Sequence, residues 1–355
     1  MGKADDRRSF PEGHGSAVHP LHVTNQRGAS VTDYEAPLFF AWQLTNRCRG
    51  RCLHCCEESG PERAWPDELP REESLRIAHE IVACAIPYAA FGGGEPLAVP
   101  HAWEVFEILS RGGCELKLET DGLGIDDEGA DRLRRMGAQC VQISIDGASR
   151  AMHERVRPGG DFAGALAVLR RLAMRGIRPE WVFVPNRVNI GDLEAAFARA
   201  VDAGCRAFVT GPMMRLGRAA AAWDELSLPE ADWSAAASRL RECAARAGGD
   251  IRLCVYPWDI VRETQERLAS PQAMLLVVPN GKVKLLNALP FAPADLRTQT
   301  IRQAWEAYQA AWASAEVADF IGRIPGDPSL LRHANETWPT GTWTARHPPQ
   351  PRPGD

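Results

Sequence analysis

Four cysteines fall close together in the stretch LTNRCRGRCLHCCEESG (44–60): Cys48, Cys52, Cys55 and Cys56. Their spacing, C-x3-C-x2-C with one thiol next in line, decides what they could do. A structural zinc site takes four ligands, usually as two separated pairs, and no second C-x2-C or H-x3-H follows. A dithiol redox pair reads C-x-x-C without a third thiol. Cys56 is a poor fourth ligand, because adjacent side chains point in different directions. Three thiolates suit an iron–sulfur cluster with one iron left open: soft sulfur selects such clusters, and a catalytic metal keeps a vacant position. Structural zinc on all four thiols is the competing, non-catalytic reading.

The elements that must position this loop alternate along the chain. LFFAWQLT (38–45) reads as a strand running into the cysteines, and strands are expected at 88–96, 115–122, 140–147, 179–186 and 206–213. Helical periodicity covers 71–85, 126–137, 162–175 and 190–203. Six strand-then-helix units predict an α/β fold, a partial (β/α)6 TIM-like barrel. In such folds ligands gather at the carboxyl ends of the strands. Gly92–Glu95, Thr120–Gly122, Ser144 and Asp146 all fall at such ends, together with the cysteine loop. After about 218 the rhythm changes. A helix is expected at 229–247, a strand at 250–257, a hairpin over 273–286 turning at Asn280–Gly281, and a helix at 300–314. These make a small α+β C-terminal lobe over 223–322. Residues 1–34 read as a flexible polar arm and 323–355 as an irregular Pro-rich tail.

C-x3-C-x-aromatic-C after a first strand, here Cys48-Arg-Gly-Arg-Cys52-Leu-His54-Cys55, followed by Gly93-Gly94-Glu95-Pro96, resembles the radical S-adenosylmethionine (radical SAM) superfamily. LTNRC, ISIDG and LGRA are similar to its SPASM/twitch branch. The resemblance covers 38–220 well and extends, weakened, to about 315, so 35–222 is expected to be the core barrel. It implies one 4Fe-4S cluster on Cys48, Cys52 and Cys55, with S-adenosylmethionine chelated at the open iron. It places His54 near adenine, Gly92, Gly93 and Gly94 against the ligand, and Glu95 on the cofactor's ammonium. Thr120, Asp121, Ser144 and Asp146 would line the nucleotide side, and Arg157 would meet the carboxylate. Asn189 and Arg218 are weaker candidates. A flavodoxin- or ferredoxin-type electron donor is implied as partner.

SPASM and twitch proteins carry further cysteines in the C-terminal lobe, whereas no cysteine follows Cys254 here. A single cluster turns the expectation toward redox-neutral chemistry, with epimerisation first. Cys254, in RLCVYPWD, is then the candidate hydrogen donor and catalytic residue. His101, Trp181, Asn186, Met213, Met214, Arg215, Tyr256, Trp258 and Asp259 are expected at the barrel mouth. This polar and aromatic mixture points to a sugar- or aminocyclitol-containing natural product, with radical dehydrogenation or ribosomal-peptide modification as alternatives.

The net charge of −5 over 355 residues, with both signs interspersed, gives no footprint for nucleic acid. No apolar run of signal-peptide or membrane-spanning length occurs, so no membrane partner is expected. Ten cysteines without a secretion signal read as thiols of a reducing compartment, and a cytoplasmic location is expected.

Overall fold

The computed structural model describes residues 30–138 and 140–342. Ten strands form one sheet: β1 (Phe39–Thr45), β2 (Tyr88–Gly93), β3 (Glu115–Thr120), β4 (Cys140–Ser144), β5 (Glu180–Phe183), β6 (Ala207–Thr210), β7 (Arg252–Val255), β8 (Met274–Val277), β9 (Lys282–Lys284) and β10 (Ala294–Asp295). Their order is β10-β9-β8-β1-β2-β3-β4-β5-β6-β7. Strands β8 and β1 to β7 run parallel, and β9 and β10 are antiparallel additions. The α/β reading and the partial barrel are therefore correct. Strands β10 and β7 end the order and do not pair with each other, so the barrel stays open.

Alternation along the strands separates two chemistries. One face is apolar and packs on helices. Trp42 of β1 and Phe91 of β2 lie 6.1 Å apart, and Phe91 meets Phe106 of the helix Ala102–Arg111 at 4.5 Å. Further along, Trp181 stacks on Phe208 at 6.4 Å, and Phe208 meets Phe197 of the helix Leu193–Asp202 edge-on at 5.5 Å. The alternate residues are mixed, small or apolar at Ala90, Val182 and Val209 and mostly polar along one rung. The rung Glu119–Gln142–Glu180–Ala207–Arg252 crosses β3 to β7, and Gln43–Gly92 continues it on β1 and β2. Buried Glu180 ties that rung together, accepting from Gln142 Nε2 at 2.8 Å and Arg206 Nε at 2.9 Å.

The segment 223–322 extends this sheet at both edges, with β7 beside β6 and β8 beside β1. The hairpin is where the sequence puts it, and Gly281 takes φ +85 at its turn. Residues 30–34, expected in the flexible arm, are docked. Val31 is buried, and Trp305 of the helix Ile301–Trp312 donates to the Tyr34 carbonyl at 2.8 Å. The rest of the arm lies outside the described residues. Part of the expected irregular tail is also ordered: Trp338 packs edge-on against Phe291 and Phe320, with centroids 6.0 and 5.9 Å away. The tail beyond 342 is outside the described residues. No described helix is long and apolar enough to cross a membrane.

Candidate active site

The cysteine loop leaves β1 with its backbone fastened from several sides. Glu68 accepts from Thr45 Oγ1 at 2.7 Å, from the Asn46 amide at 2.8 Å and from the Trp65 amide at 2.9 Å. The Cys48 amide donates to the Gly60 carbonyl, and those of Arg51 and Leu53 donate to the carbonyls of Pro158 and Val156. Arg218 closes the far side. Its amide donates to the Cys55 carbonyl at 3.0 Å and its Nε to the Cys52 carbonyl at 2.8 Å. Gly217 makes that approach possible, since a Cβ there would sit 2.4 Å from the Cys56 carbonyl oxygen. Asn335 Nδ2 also donates to that carbonyl, at 2.9 Å.

Cys48, Cys52 and Cys55 are free thiols and all three are partly accessible, whereas Cys114, Cys205 and Cys254 are buried. Burial pushes the Cys48 thiol up to about 11, with Cys52, Asp121 and Glu95 adding to the shift and the Gly50 amide opposing it. Burial also raises the Cys52 thiol, against the pull of Arg157. Among the described residues, no three His, Cys, Asp or Glu side chains are drawn together closely enough to hold a metal ion as they stand. The donor set still fits an iron–sulfur cluster: three unbridged thiols on one fastened loop, two of them lining a common cleft. That cleft is lined by Cys48, Cys52, Asp121, Ser144, His153 and Arg157 among others.

Asp146 organises the cleft's inner wall. It is fully buried and accepts from Arg157 Nε at 2.5 Å and from the Val184 amide at 2.6 Å, with His54 Nε2 at 3.2 Å. Burial alone would raise its carboxyl, but Arg157 and then His54 pull it well below the usual carboxylate range. Arg157 Nη1 reaches Cys52 Sγ at 3.6 Å, so one guanidinium joins the acid to a cysteine of the loop. The buried Nδ1 of His54 finds no partner among the described residues. His153 accepts the Asp146 amide on Nδ1 at 3.2 Å, and burial, then Arg157, depress it to about 4. Asn189 sits beneath, donating to the carbonyls of Asp146 and Val184.

Glu95 is buried and already engaged by Thr120 Oγ1 at 2.7 Å, the Asp121 amide at 2.9 Å and the Leu97 amide at 3.1 Å. Burial and then Asp121 raise it to about 8, against those hydrogen bonds. Gly93 and Gly94 serve the backbone. Their Cβ atoms would meet the Thr45 carbonyl oxygen at 2.9 Å and the Arg47 carbonyl oxygen at 2.2 Å, so they let β2 close on the start of the cysteine loop. Gly92 instead faces Glu119. Asp121 pairs with Arg49 at 3.0 Å, and Ser144 lies in the cleft wall.

Several expected residues are elsewhere. Cys254 is buried in β7 against Val182, Ala207 and Val209, three strands from Ser144 on the same rung, so the structure does not bring it to the cysteine loop. Trp181, Asn186 and Met213 are buried rather than at a mouth. His101 joins Ser74 in the helical layer, and Asp259 caps the helix Ile260–Ala269. Trp258 lies beneath Arg262 and Arg267. Polar residues of the barrel interior that the sequence reading passed over are Lys117, Glu119, Gln142 and Glu180.

Residues 42–203 match the Radical SAM superfamily. That stretch is a radical SAM domain. A 4Fe-4S cluster and S-adenosylmethionine are the cofactors of that superfamily. The mycofactocin maturase MftC of Mycobacterium ulcerans is 34% identical over 193 residues, 54% of this chain and 52% of that one. The chain thus spans about half the length of the mycofactocin maturases it matches. The AdoMet-dependent heme synthase of Methanosarcina barkeri is 24% identical over 294 residues, 76% and 82% of the two chains. The PqqA peptide cyclase of Ruegeria pomeroyi is 26% identical over 280 residues, 76% and 74%. Streptococcus suis SuiB bound to S-adenosylmethionine shares the fold at a TM-score of 0.67, with 9% identity, over 86% of this chain and 77% of that one.

Proposed function

We propose that this chain is a radical SAM enzyme that modifies a peptide. The observation that carries the chemistry is the fastened loop of three free thiols, tied to the inner wall through Arg157 and Asp146. Similarity to a maturase and to a peptide cyclase supports the substrate class. The sugar or aminocyclitol reading loses its footing, because Trp181, Asn186 and Met213 are buried rather than exposed at a mouth. A porphyrin-type substrate is the second reading, favoured by the match to a heme synthase over 82% of that enzyme.

When bound, the cluster and S-adenosylmethionine supply a 5′-deoxyadenosyl radical that takes hydrogen from an unactivated C–H bond. Cys48, Cys52 and Cys55 would hold the cluster, and Asp121, Ser144 and Arg157, which line the cleft, would face S-adenosylmethionine. Arg157 is fixed by Asp146, so its remaining donors face the cleft with little orientational freedom to lose. The helices packed on the sheet exclude water from one side. Residues 255–355 hold no cysteine, which leaves that segment without thiol ligands for a second cluster and favours a redox-neutral outcome.

The test is 5′-deoxyadenosine formation by the reconstituted protein with dithionite, in the presence of short peptides encoded beside the gene, aminocyclitol glycosides or porphyrins. The peptide reading requires that a peptide accelerate the reaction and change mass. Acceleration by a porphyrin or a glycoside alone would replace it.

A further inference from the structure

Arg157 is set opposite Cys52 by backbone as well as by charge. It caps the helix Arg150–Val156, its amide donating to the His153 carbonyl at 2.8 Å. The carbonyls on either side of it hold the amides on either side of Cys52. Pro158 accepts from Arg51 at 2.7 Å, and Val156 accepts from Leu53 at 2.9 Å. Gly159, at φ +88, turns the chain away beyond this pairing, and a Cβ on it would stand 2.9 Å from the Arg49 carbonyl oxygen. Within that frame the guanidinium is divided. Its Nε pairs with Asp146 Oδ2 at 2.5 Å, and its Nη1 donates to Cys52 Sγ at 3.6 Å, within hydrogen-bond range for a sulfur acceptor. The Arg157 side chain is 14% exposed and that of Asp146 not at all, so solvent screens these charges little. Arg218, the other guanidinium at Cys52, spends its Nε on the carbonyl of that residue. Among the described residues, Arg157 is the one side chain that donates to any of the three thiols.

A donor aimed at a ligand sulfur bears on electron uptake. Hydrogen bonds to the sulfurs and the charge nearby set the potential of an iron–sulfur cluster. One electron from a reductant adds one negative charge there, with no bond formed or broken. A cation whose N–H meets the sulfur favours that charge, and a buried carboxylate opposes it. We propose that Arg157 and Asp146 are a counterpoised pair that sets the reduction potential of a cluster held by this loop. Arg157 is a positioning residue that acts through Cys52 and raises the potential; Asp146 limits the rise while holding the guanidinium in aim. This rests on the assignment of the cluster to Cys48, Cys52 and Cys55, and not on the peptide reading. It is separate from any contact of Arg157 with S-adenosylmethionine, because it operates before that ligand binds.

The test is the reduction potential of the anaerobically reconstituted full chain, measured without S-adenosylmethionine by following the paramagnetic resonance of the reduced cluster as the poise is stepped. Arg157→Gln removes the cation and leaves Asp146 unopposed. Reduction should become about tenfold less favourable at a fixed poise, a potential lower by about 59 mV for one electron. Asp146→Asn removes the anion and leaves the cation, so the potential should rise. Arg157→Lys keeps the charge without the planar fork and should fall between the wild type and Arg157→Gln. A role confined to packing would not reverse sign between the two partners. Where Arg157→Gln fails to take up iron, the rise in Asp146→Asn and the smaller fall in Arg157→Lys decide the question. Unshifted potentials in variants that carry about four irons, or a fall in Asp146→Asn, would overturn the proposal and leave the radical SAM reading standing. A wild type that takes up no iron would overturn both.

Discussion

At the scale of single residues, the cleft depends on charges that hold one another in place. Asp146 fixes Arg157, and Arg157 reaches Cys52. Asp146→Asn keeps the shape but removes the charge that orients the guanidinium, so 5′-deoxyadenosine formation should fall by about tenfold or more, the worth of a buried charge-assisted contact. Single-turnover assay at matched iron content checks this. His153 gives a prediction with a sign. Its folded value of about 4 lies below the ordinary histidine value of 6.5, so the folded state resists taking up its proton. The stability that comes from keeping it neutral is fully present above pH 6.5 and is lost as the pH falls toward 4, a window worth roughly 3 kcal/mol at most. Urea midpoints should therefore drop between pH 7 and pH 5 in the wild type, and drop less in His153→Gln.

At the scale of elements, the end of β2 is held to the end of β1 by glycine. Gly94→Ala would put a methyl 2.2 Å from the Arg47 carbonyl, a backbone atom that cannot swing away, and would strain the Gly94 amide contact to Thr45 at 2.7 Å. The expected cost is about 3 kcal/mol, with loss of iron binding; Gly92→Ala meets only the Glu119 side chain and should cost under about 1 kcal/mol. Denaturant midpoints and iron content compare the two. The contrast also marks what the sequence could tell. Cys48, Cys52, Cys55 and the GGEP run were legible because a loop site is written in contiguous residues. Which glycine touches backbone and which faces the interior depends on how β1 and β2 pair, and local spacing does not encode that. Lys117 and Glu119 were passed over for a similar reason. In ELKLET the alternation of charge and leucine reads as a strand with one solvated face, and only the curl of the whole sheet turns that face inward.

At the scale of the whole molecule, the last third of the chain is built into the sheet. Pairing of β8 with β1 joins residues more than two hundred positions apart, which no local pattern announces, although the hairpin itself was readable from Asn280–Gly281. The tail then returns to the cysteine loop. Trp338 anchors it between Phe291 and Phe320, Lys284 donates to the Ala334 carbonyl, and Asn335 holds the Cys56 carbonyl. Trp338→Ala should cost about 3–5 kcal/mol as a large-to-small change in a packed cluster, and should loosen that grip. A lowered melting temperature with faster loss of iron to a chelator is the expected pair of readings. The central claim is that this assembly exists to hold one catalytic cluster on three thiols. Iron and sulfide per chain after anaerobic reconstitution test it most directly, for the wild type and for the Cys48, Cys52 and Cys55→Ala triple variant. About four irons in the wild type and roughly none in the variant is the predicted result. Iron retained by the triple variant, or a colourless protein holding zinc instead, would contradict it.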